Sequence, residues 1–195
     1  MFNYIHLVLL YLQVLALSQN VLYTLGGPAQ HQDNISLPSL LELDLSDNLL
    51  VEIQDGLLAR GCPALRRLDL SYNKLTTVPG GLAGDSDAIS NLSELVMSGN
   101  MIRYLEAGSM AGLGRLSALH LNNMPVLAAL SPDALAALPR LEFLTLANSR
   151  RLAPVPPGLF QPTPGLRRLD LSQLAWNSLH PDQVGIYHFM ACCRL

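Results

Sequence analysis

The stretch Leu43-Asp44-Leu45-Ser46-Asp47-Asn48 recurs as Leu68-Asp69-Leu70-Ser71-Tyr72-Asn73, 25 residues further along the chain. Each copy lies within a longer template, L-x-x-L-x-L-x-x-N-x-L, which begins at Leu40 in the first copy and at Leu65 in the second. Because the side chains of a strand alternate between its two faces, the leucines of L-x-L point to the same side of a short strand. The template therefore predicts a strand that is followed by a turn at the asparagine.

The template recurs along most of the chain, and an earlier copy runs from Leu12 to Leu22. A single unit cannot bury its own leucines, whereas stacked units bury them in one continuous core. We therefore predict an α/β-class solenoid, a horseshoe of about seven units. Its concave face carries short parallel strands, and its convex segments are irregular or 3₁₀ with little regular helix. The six later copies begin at Leu40, Leu65, Leu92, Leu116, Leu141 and Leu166.

Three of the later units depart from the template at its asparagine. Met124 stands at that position in one unit, and Ser149 follows Asn148 in the next. Both units need one extra residue before the following leucine. The last unit reaches Asn177 after what looks like a three-residue insertion at 173–175. We expect local bulges at all three places.

The two LDLSxN cores resemble those of the leucine-rich-repeat family, and the period of 24 or 25 residues resembles its typical extracellular subclass. That subclass includes Toll-type receptors, Slit, tartan–capricious adhesion proteins and small leucine-rich proteoglycans. The resemblance covers about residues 10–180. It implies recognition of a protein ligand on the solenoid, without catalysis. Extracellular members usually carry cysteine-bearing caps, which do not flank residues 12–179 here. Either the chain is a fragment of a longer protein, which we favour, or something else covers the ends of the repeats.

The N-terminal residues have two interpretations, and both remain open. Residues 7–17 have the length and composition of the apolar core of a signal peptide, and they also complete a repeat. No Lys or Arg precedes them. Residues 1–11 are therefore either part of a signal peptide or the start of the first repeat. We assign residues 12–180 to the solenoid and residues 181–195 to a tail outside the repeats.

Composition excludes several classes of function. Leucine accounts for 44 of the 195 residues and the net charge is only −3, so the chain is neither disordered nor basic enough to indicate nucleic-acid binding. No run of about 20 apolar residues indicates a membrane span, so membrane association would need a separate segment. Phosphate-binding, hydrolase and metalloprotease motifs are absent. We therefore expect no catalytic residue, no cofactor and no metal site.

The concave face is the best candidate site because the residues flanking the inward leucines should point to solvent there. Val96, His120 and Phe143 give this face a central apolar and aromatic strip, with Tyr72 beside it. Aromatic residues at the centre of a surface patch are typical of binding hot spots. The candidate partner-binding residues are Arg67, Tyr72, Glu94, Val96, His120, Asn122, Phe143 and Thr145.

Two glycosylation sequons, at Asn34 and Asn91, agree with an extracellular setting. The sequence thus predicts a module that binds a protein ligand or receptor, at the cell surface or outside the cell, in an adhesion or receptor role. An intracellular adaptor in the cytoplasm and a truncated product without independent activity are the alternatives. The identity of the ligand and the oligomeric state are left open.

Overall fold

A parallel sheet with one strand per repeat organises the fold. The computed structural model describes residues 10–26, 36–80, 82 and 91–178, and this part of the chain contains a seven-stranded sheet in which spatial order follows chain order. Its strands are β1 (Val14–Ala16), β3 (Glu42–Asp44), β5 (Arg67–Asp69), β6 (Glu94–Val96), β8 (Ala118–His120), β10 (Phe143–Thr145) and β11 (Arg168–Asp170). The central leucines of neighbouring strands are aligned, as Leu43 is with Leu68. This confirms the predicted solenoid.

The returning segments contain little regular structure, as the sequence predicts. Two short parallel pairs lie there: β2 (Thr24–Leu25) with β4 (Glu52–Ile53), and β7 (Tyr104–Leu105) with β9 (Ala129–Leu130). The five-residue helix α1 (Leu57–Gly61) is the only α-helix among the described residues. The described part of the chain includes no helix long and apolar enough to cross a membrane.

The inward leucines of successive repeats form one continuous core. Leu40, Leu65 and Leu92 are almost fully buried, and so are the central leucines of the middle strands, such as Leu95 and Leu119. Full burial of one such side chain is worth about 1.5–3 kcal/mol relative to exposure. The core therefore stabilises the sheet through contacts between adjacent repeats.

Buried asparagines bind each repeat to the one before it. Asn73 donates from Nδ2 to the carbonyl oxygens of Leu45 and Leu70, at 2.9 and 3.1 Å, and its Oδ1 accepts from the amide of Leu50 at 2.9 Å. Asn48 and Asn100 make the same set of contacts in their own repeats. We call this set the asparagine ladder. It satisfies backbone groups that the turn would otherwise leave buried and unpaired.

The residue before each ladder position has a left-handed backbone, also in the three units that depart from the template. These residues are Gln19, Asp47, Tyr72, Gly99, Asn123, Asn148 and Gln173. The turn is therefore set by its place after the strand and does not require asparagine.

The departing units fill the ladder position in different ways. Ser149 is fully buried, and its hydroxyl accepts from the amide of Met124 and donates to the carbonyl of Leu121, each at 3.3 Å. Met124 fills its own position with a buried apolar side chain. The expected extra residue follows both positions, since the next buried leucines are Leu127 and Leu152.

The interpretation of the last unit was wrong. Gln173 has the left-handed backbone of the turn, so Leu174 occupies the ladder position without any insertion before it. Asn177 is exposed. Trp176 ties this unit to the previous one by donating from its indole nitrogen to the carbonyl of Leu152 at 2.7 Å.

Strand β1 lies in register with β3, and its flanking leucines are half-buried. Residues 12–22 thus occupy a repeat in the structure. Residues 1–9 and the tail at 181–195 lie outside the described residues.

Candidate functional site

Parallel register arranges the outward side chains of the main sheet in two columns across the concave face. The first column comes from the first residue of each strand: Val14, Glu42, Arg67, Glu94, Ala118, Phe143 and Arg168. The second column comes from the third residue: Ala16, Asp44, Asp69, Val96, His120, Thr145 and Asp170. Charged side chains occupy both columns on β3, β5 and β11 and the first column on β6, whereas the columns of β1, β8 and β10 carry no Asp, Glu, Lys or Arg.

Arg67, Glu94 and His120 form a connected polar group that crosses three strands. The guanidinium of Arg67 donates to Glu94 Oε1 and lies 3.6 Å from Asp69 Oδ2. His120 Nε2 lies 3.6 Å from the same Glu94 oxygen. Partial burial lowers the pKa of Arg67, but the hydrogen bond and charge of Glu94 outweigh it and raise that pKa. Arg67 is thus held by carboxylates of its own face.

His120 and Phe143 form the aromatic centre of the face. Their ring centroids are 5.0 Å apart with the planes tilted by 44°, and Arg168 Cζ lies 5.1 Å from the centroid of Phe143. Such pairs contribute about 0.5–1.5 kcal/mol beyond their buried area. Ala118, between Glu94 and Phe143 in the first column, has no side chain beyond Cβ that would separate His120 from either neighbour.

The imidazole of His120 favours its neutral form. Burial lowers the pKa of His120 below its ordinary value of 6.5, and the charge of Arg67 lowers it further. Glu94 and Asp69 act in the opposite direction, without reversing the shift. At neutral pH the centre of the concave face is therefore uncharged.

The aspartates of the second column serve their own turns. Asp44 Oδ1 accepts from the amide and hydroxyl of Ser46 at 2.9 and 2.6 Å, and Asp69 does the same for Ser71. Burial raises the pKa of Asp44, but the hydrogen bonds from Ser46 and Ser18 and the charge of Arg67 outweigh it. The pKa of Asp44 is therefore lowered, and its carboxylate stays ionised at neutral pH.

Thr145 was predicted to face solvent, and this was wrong. It is only 3% exposed, and its hydroxyl donates to Asn122 Oδ1, which also accepts from the amide of Ala147 at 2.9 Å. The adjacent turn has the same type of contact, since the amide of Asn122 donates to Ser98 Oγ at 3.0 Å. His120 and Thr145 stand where other turns have the capping aspartate, and in both turns the preceding repeat supplies the acceptor.

Asn122 is therefore occupied by contacts within the solenoid, and less of it faces outward than the sequence suggested. Ser71 and Ser98, also expected to point to solvent, are buried at the ends of their strands. Sequence reasoning missed these contacts because each depends on the residue in the adjacent repeat. The sequence offered one signal of these contacts: Val96 and His120 stand where other repeats have an aspartate that accepts from its own turn.

Tyr72 lies at the turn edge, away from the two strand columns. Its backbone is left-handed, its side chain is 50% exposed, and its ring covers Gly99 of the next repeat. Its hydroxyl accepts from Asn123 Nδ2 at 3.2 Å, and Asn123 Oδ1 accepts from Asn148 Nδ2 at 2.7 Å. Tyr72 thus joins a polar chain along the turn edge of the sheet, outside the strip that Val96, His120 and Phe143 form.

The sequon at Asn91 lies at the opposite rim, and Asn34 lies outside the described residues. Asn91 is exposed; its Nδ2 donates to the carbonyl of Pro63 at 3.1 Å, and its Oδ1 accepts from Arg115 at 2.7 Å. The side chain is therefore at the surface, with contacts to the repeats on both sides.

Comparison with known proteins supports the repeat assignment in part of the chain. No curated protein matches the sequence. Residues 38–86 match the family model described as leucine rich repeat. Over these residues the chain is similar to the leucine-rich-repeat family, and the aligned leucine strands of the whole described sheet agree with that similarity.

Proposed function

We propose that this solenoid is a protein-recognition module that binds a protein partner through its concave face, centred on Val96, His120 and Phe143. One observation carries the proposal. The core is filled mainly by leucines, yet a paired imidazole and phenyl ring remain partly exposed on the outward face, between the charged strands β3, β5 and β6 on one side and β11 on the other. An apolar centre with a polar rim is the usual anatomy of a protein interface.

The scaffold suits recognition because its binding groups are held in place before a partner arrives. Inner strands are hydrogen-bonded on both sides, and the asparagine ladder fixes the turns that follow them. A preorganised surface loses less conformational entropy on binding, so more of the contact energy appears as affinity. The mechanism we propose is shape and charge complementarity on this surface, without catalysis.

The test is to select binders from a displayed library of folded protein fragments and to map their footprint by mutation. The variant His120→Ala/Phe143→Ala removes the aromatic centre. Its matched control is Arg103→Ala/Tyr104→Ala, which removes a second cation–ring pair, 5.3 Å apart, outside the main sheet. We expect the first variant to weaken the selected binders at least about tenfold and the control to leave them unchanged.

Circular dichroism shows whether both variants keep their strands. If folded His120→Ala/Phe143→Ala retains the affinity of the unmodified chain for the selected binders, the concave centre is not the recognition surface.

We further propose that the partner is met outside the cell or at the cell surface, in an adhesion or receptor role. The exposed sequon at Asn91 and the resemblance to the typical extracellular repeat support this setting. Residues 1–195 would be expressed in a eukaryotic cell, and gel mobility compared with and without removal of N-glycans. A shifted species in the medium is expected, and Asn91→Gln should reduce the shift. An unshifted species confined to the lysate would favour the cytoplasmic adaptor.

A further inference from the structure

We infer that the partner presents an extended segment that crosses the strands of the concave face and carries a Lys or Arg about four to six residues from an aromatic or large aliphatic residue. The apolar residue sits against His120 and Phe143, and the basic residue sits over Glu42 and Asp44. This inference rests on the proposed function and adds the chemistry of the partner.

The charge on the face is unevenly distributed. From β3 to β6 the two columns present four carboxylates, those of Glu42, Asp44, Asp69 and Glu94, and one guanidinium, that of Arg67. On β11 the columns carry one charge of each sign, Arg168 and Asp170. The side of the face toward β3 is therefore negative, and the side toward β11 is balanced.

The negative charge on β3 is neutralised only in part by its neighbours, because Arg67 acts on Glu42 and Asp44 through its charge but makes no ion pair with either. Arg67 already contacts Glu94 and Asp69, and Glu42 is exposed and forms no ion pair with any residue that the structure describes. Asp44 uses Oδ1 for Ser46. A basic group from outside would be the first cation to contact Glu42.

The spacing follows from the geometry of the sheet. Adjacent strands are about 4.8 Å apart, so β3 lies about 14 Å from β8 and about 19 Å from β10. An extended chain advances about 3.3 Å per residue, so four to six residues span that distance. A segment that crosses the strands can therefore place one side chain at the aromatic centre and another at the carboxylates.

The experiment selects from a displayed library of random 12-residue peptides against the purified chain. Glu42→Gln/Asp44→Asn removes both charges, and the amide introduced in place of Asp44 keeps an oxygen that can still accept from Ser46. The control, Glu52→Gln/Asp55→Asn, removes the same two charges from exposed residues outside the main sheet. We expect enriched peptides to share the basic and apolar residues at this spacing, and to lose about tenfold in affinity on the first variant only. Added salt should reduce that difference.

The outcomes separate the two proposals. Peptides that lose binding on His120→Ala/Phe143→Ala, but show no basic preference or ignore Glu42→Gln/Asp44→Asn, would overturn this inference and leave concave-face recognition standing. Peptides that bind His120→Ala/Phe143→Ala as tightly as the unmodified chain would count against the proposed function itself. A library that yields no enriched peptide would also overturn the inference, because a short segment of this chemistry would then be insufficient.

Discussion

Asn123 donates a hydrogen bond from Nδ2 to the hydroxyl of Tyr72, which precedes it by 51 residues and lies two repeats away. The contact spans the intervening repeat because that repeat has Gly99 at the same turn position, where the tyrosine ring lies across the backbone. Three consecutive turns are thus joined at the surface as well as through the core. The edge of the solenoid should depend on the absence of a side chain at residue 99.

Replacing Gly99 by alanine tests this dependence. The new Cβ would lie 2.5 Å from Tyr72 Cδ1, on a backbone with φ of +72°. Gly108 is the matched control, since its φ is +76° and nothing lies within 4 Å of a Cβ built there. We expect Gly108→Ala to cost about 1 kcal/mol from its backbone alone. Gly99→Ala should cost about 1–3 kcal/mol more, because the ring must move.

Urea unfolding followed by circular dichroism measures both free energies. The additional variant Tyr72→Ala/Gly99→Ala removes the ring. Adding Gly99→Ala to Tyr72→Ala should therefore cost only about as much stability as Gly108→Ala costs in the unmodified chain. Equal losses for the two glycine variants would mean that the tyrosine does not pack on residue 99.

The asparagine ladder predicts that replacing a buried asparagine by alanine lowers the free energy of unfolding more than replacing an exposed one. Asn73→Ala leaves the amide of Leu50 without its side-chain acceptor inside the core, whereas the carbonyl of Leu45 loses one of two side-chain donors and keeps Asn48. Each buried group left unpaired costs about 1–3 kcal/mol. Asn20→Ala is the control, because Asn20 is exposed and donates only to carbonyls of its own repeat, those of Leu17 and Ser18. We expect a loss of about 1–3 kcal/mol for Asn73→Ala, from the unpaired amide of Leu50, and under about 1 kcal/mol for Asn20→Ala. Similar losses in chemical denaturation would contradict the ladder.

The thiol of Cys62 should react only slowly with thiol reagents in the folded protein. It is a buried free thiol, and burial raises its pKa, so little of the reactive thiolate forms or reaches solvent. With Cys192 and Cys193 replaced by serine, a thiol-specific chromogenic reagent should react at least about tenfold faster in denaturant than in buffer. The further change Cys62→Ala gives the background rate. Rapid reaction of the native protein would mean that this returning segment is open.

The strands and the residues that enter the core could be predicted because the pattern that specifies them lies within each repeat. Leu43 and Leu45 alternate with Asp44, and this period of two specifies a strand and its buried face without any knowledge of the neighbours. The same argument holds for every copy of the template. The sequence therefore sufficed for the solenoid and for the two outward columns.

The details of the site depend on pairs of repeats, and sequence periodicity does not contain them. Thr145 is buried because Asn122, one repeat earlier, offers it an acceptor, and Tyr72 reaches Asn123 because Gly99 lies between them. Leu174 occupies the ladder position because the turn is set by its distance from the strand. Such contacts follow only once the stacking register is known.

The pH dependence of stability should carry a contribution from His120. Burial lowers the pKa of His120 in the folded protein below the value of 6.5 that applies when the chain is unfolded. Glu94 and Asp69 face it and favour the charged form, whereas Arg67 opposes it. Between the two pKa values the unfolded chain binds more protons than the folded one, so stability rises with pH across that window.

The expected result is a loss of stability as pH falls below about 6.5, with a smaller loss in His120→Gln, which cannot protonate. Comparing urea unfolding of the two proteins at matched pH values isolates this histidine from other groups that titrate in the same range. Because a charged imidazole is a poorer contact for an apolar side chain of the partner, binding at the concave face should weaken in parallel when His120 becomes charged. If the stability of His120→Gln depends on pH in the same way as that of the unmodified chain, burial does not lower the pKa of His120 on folding.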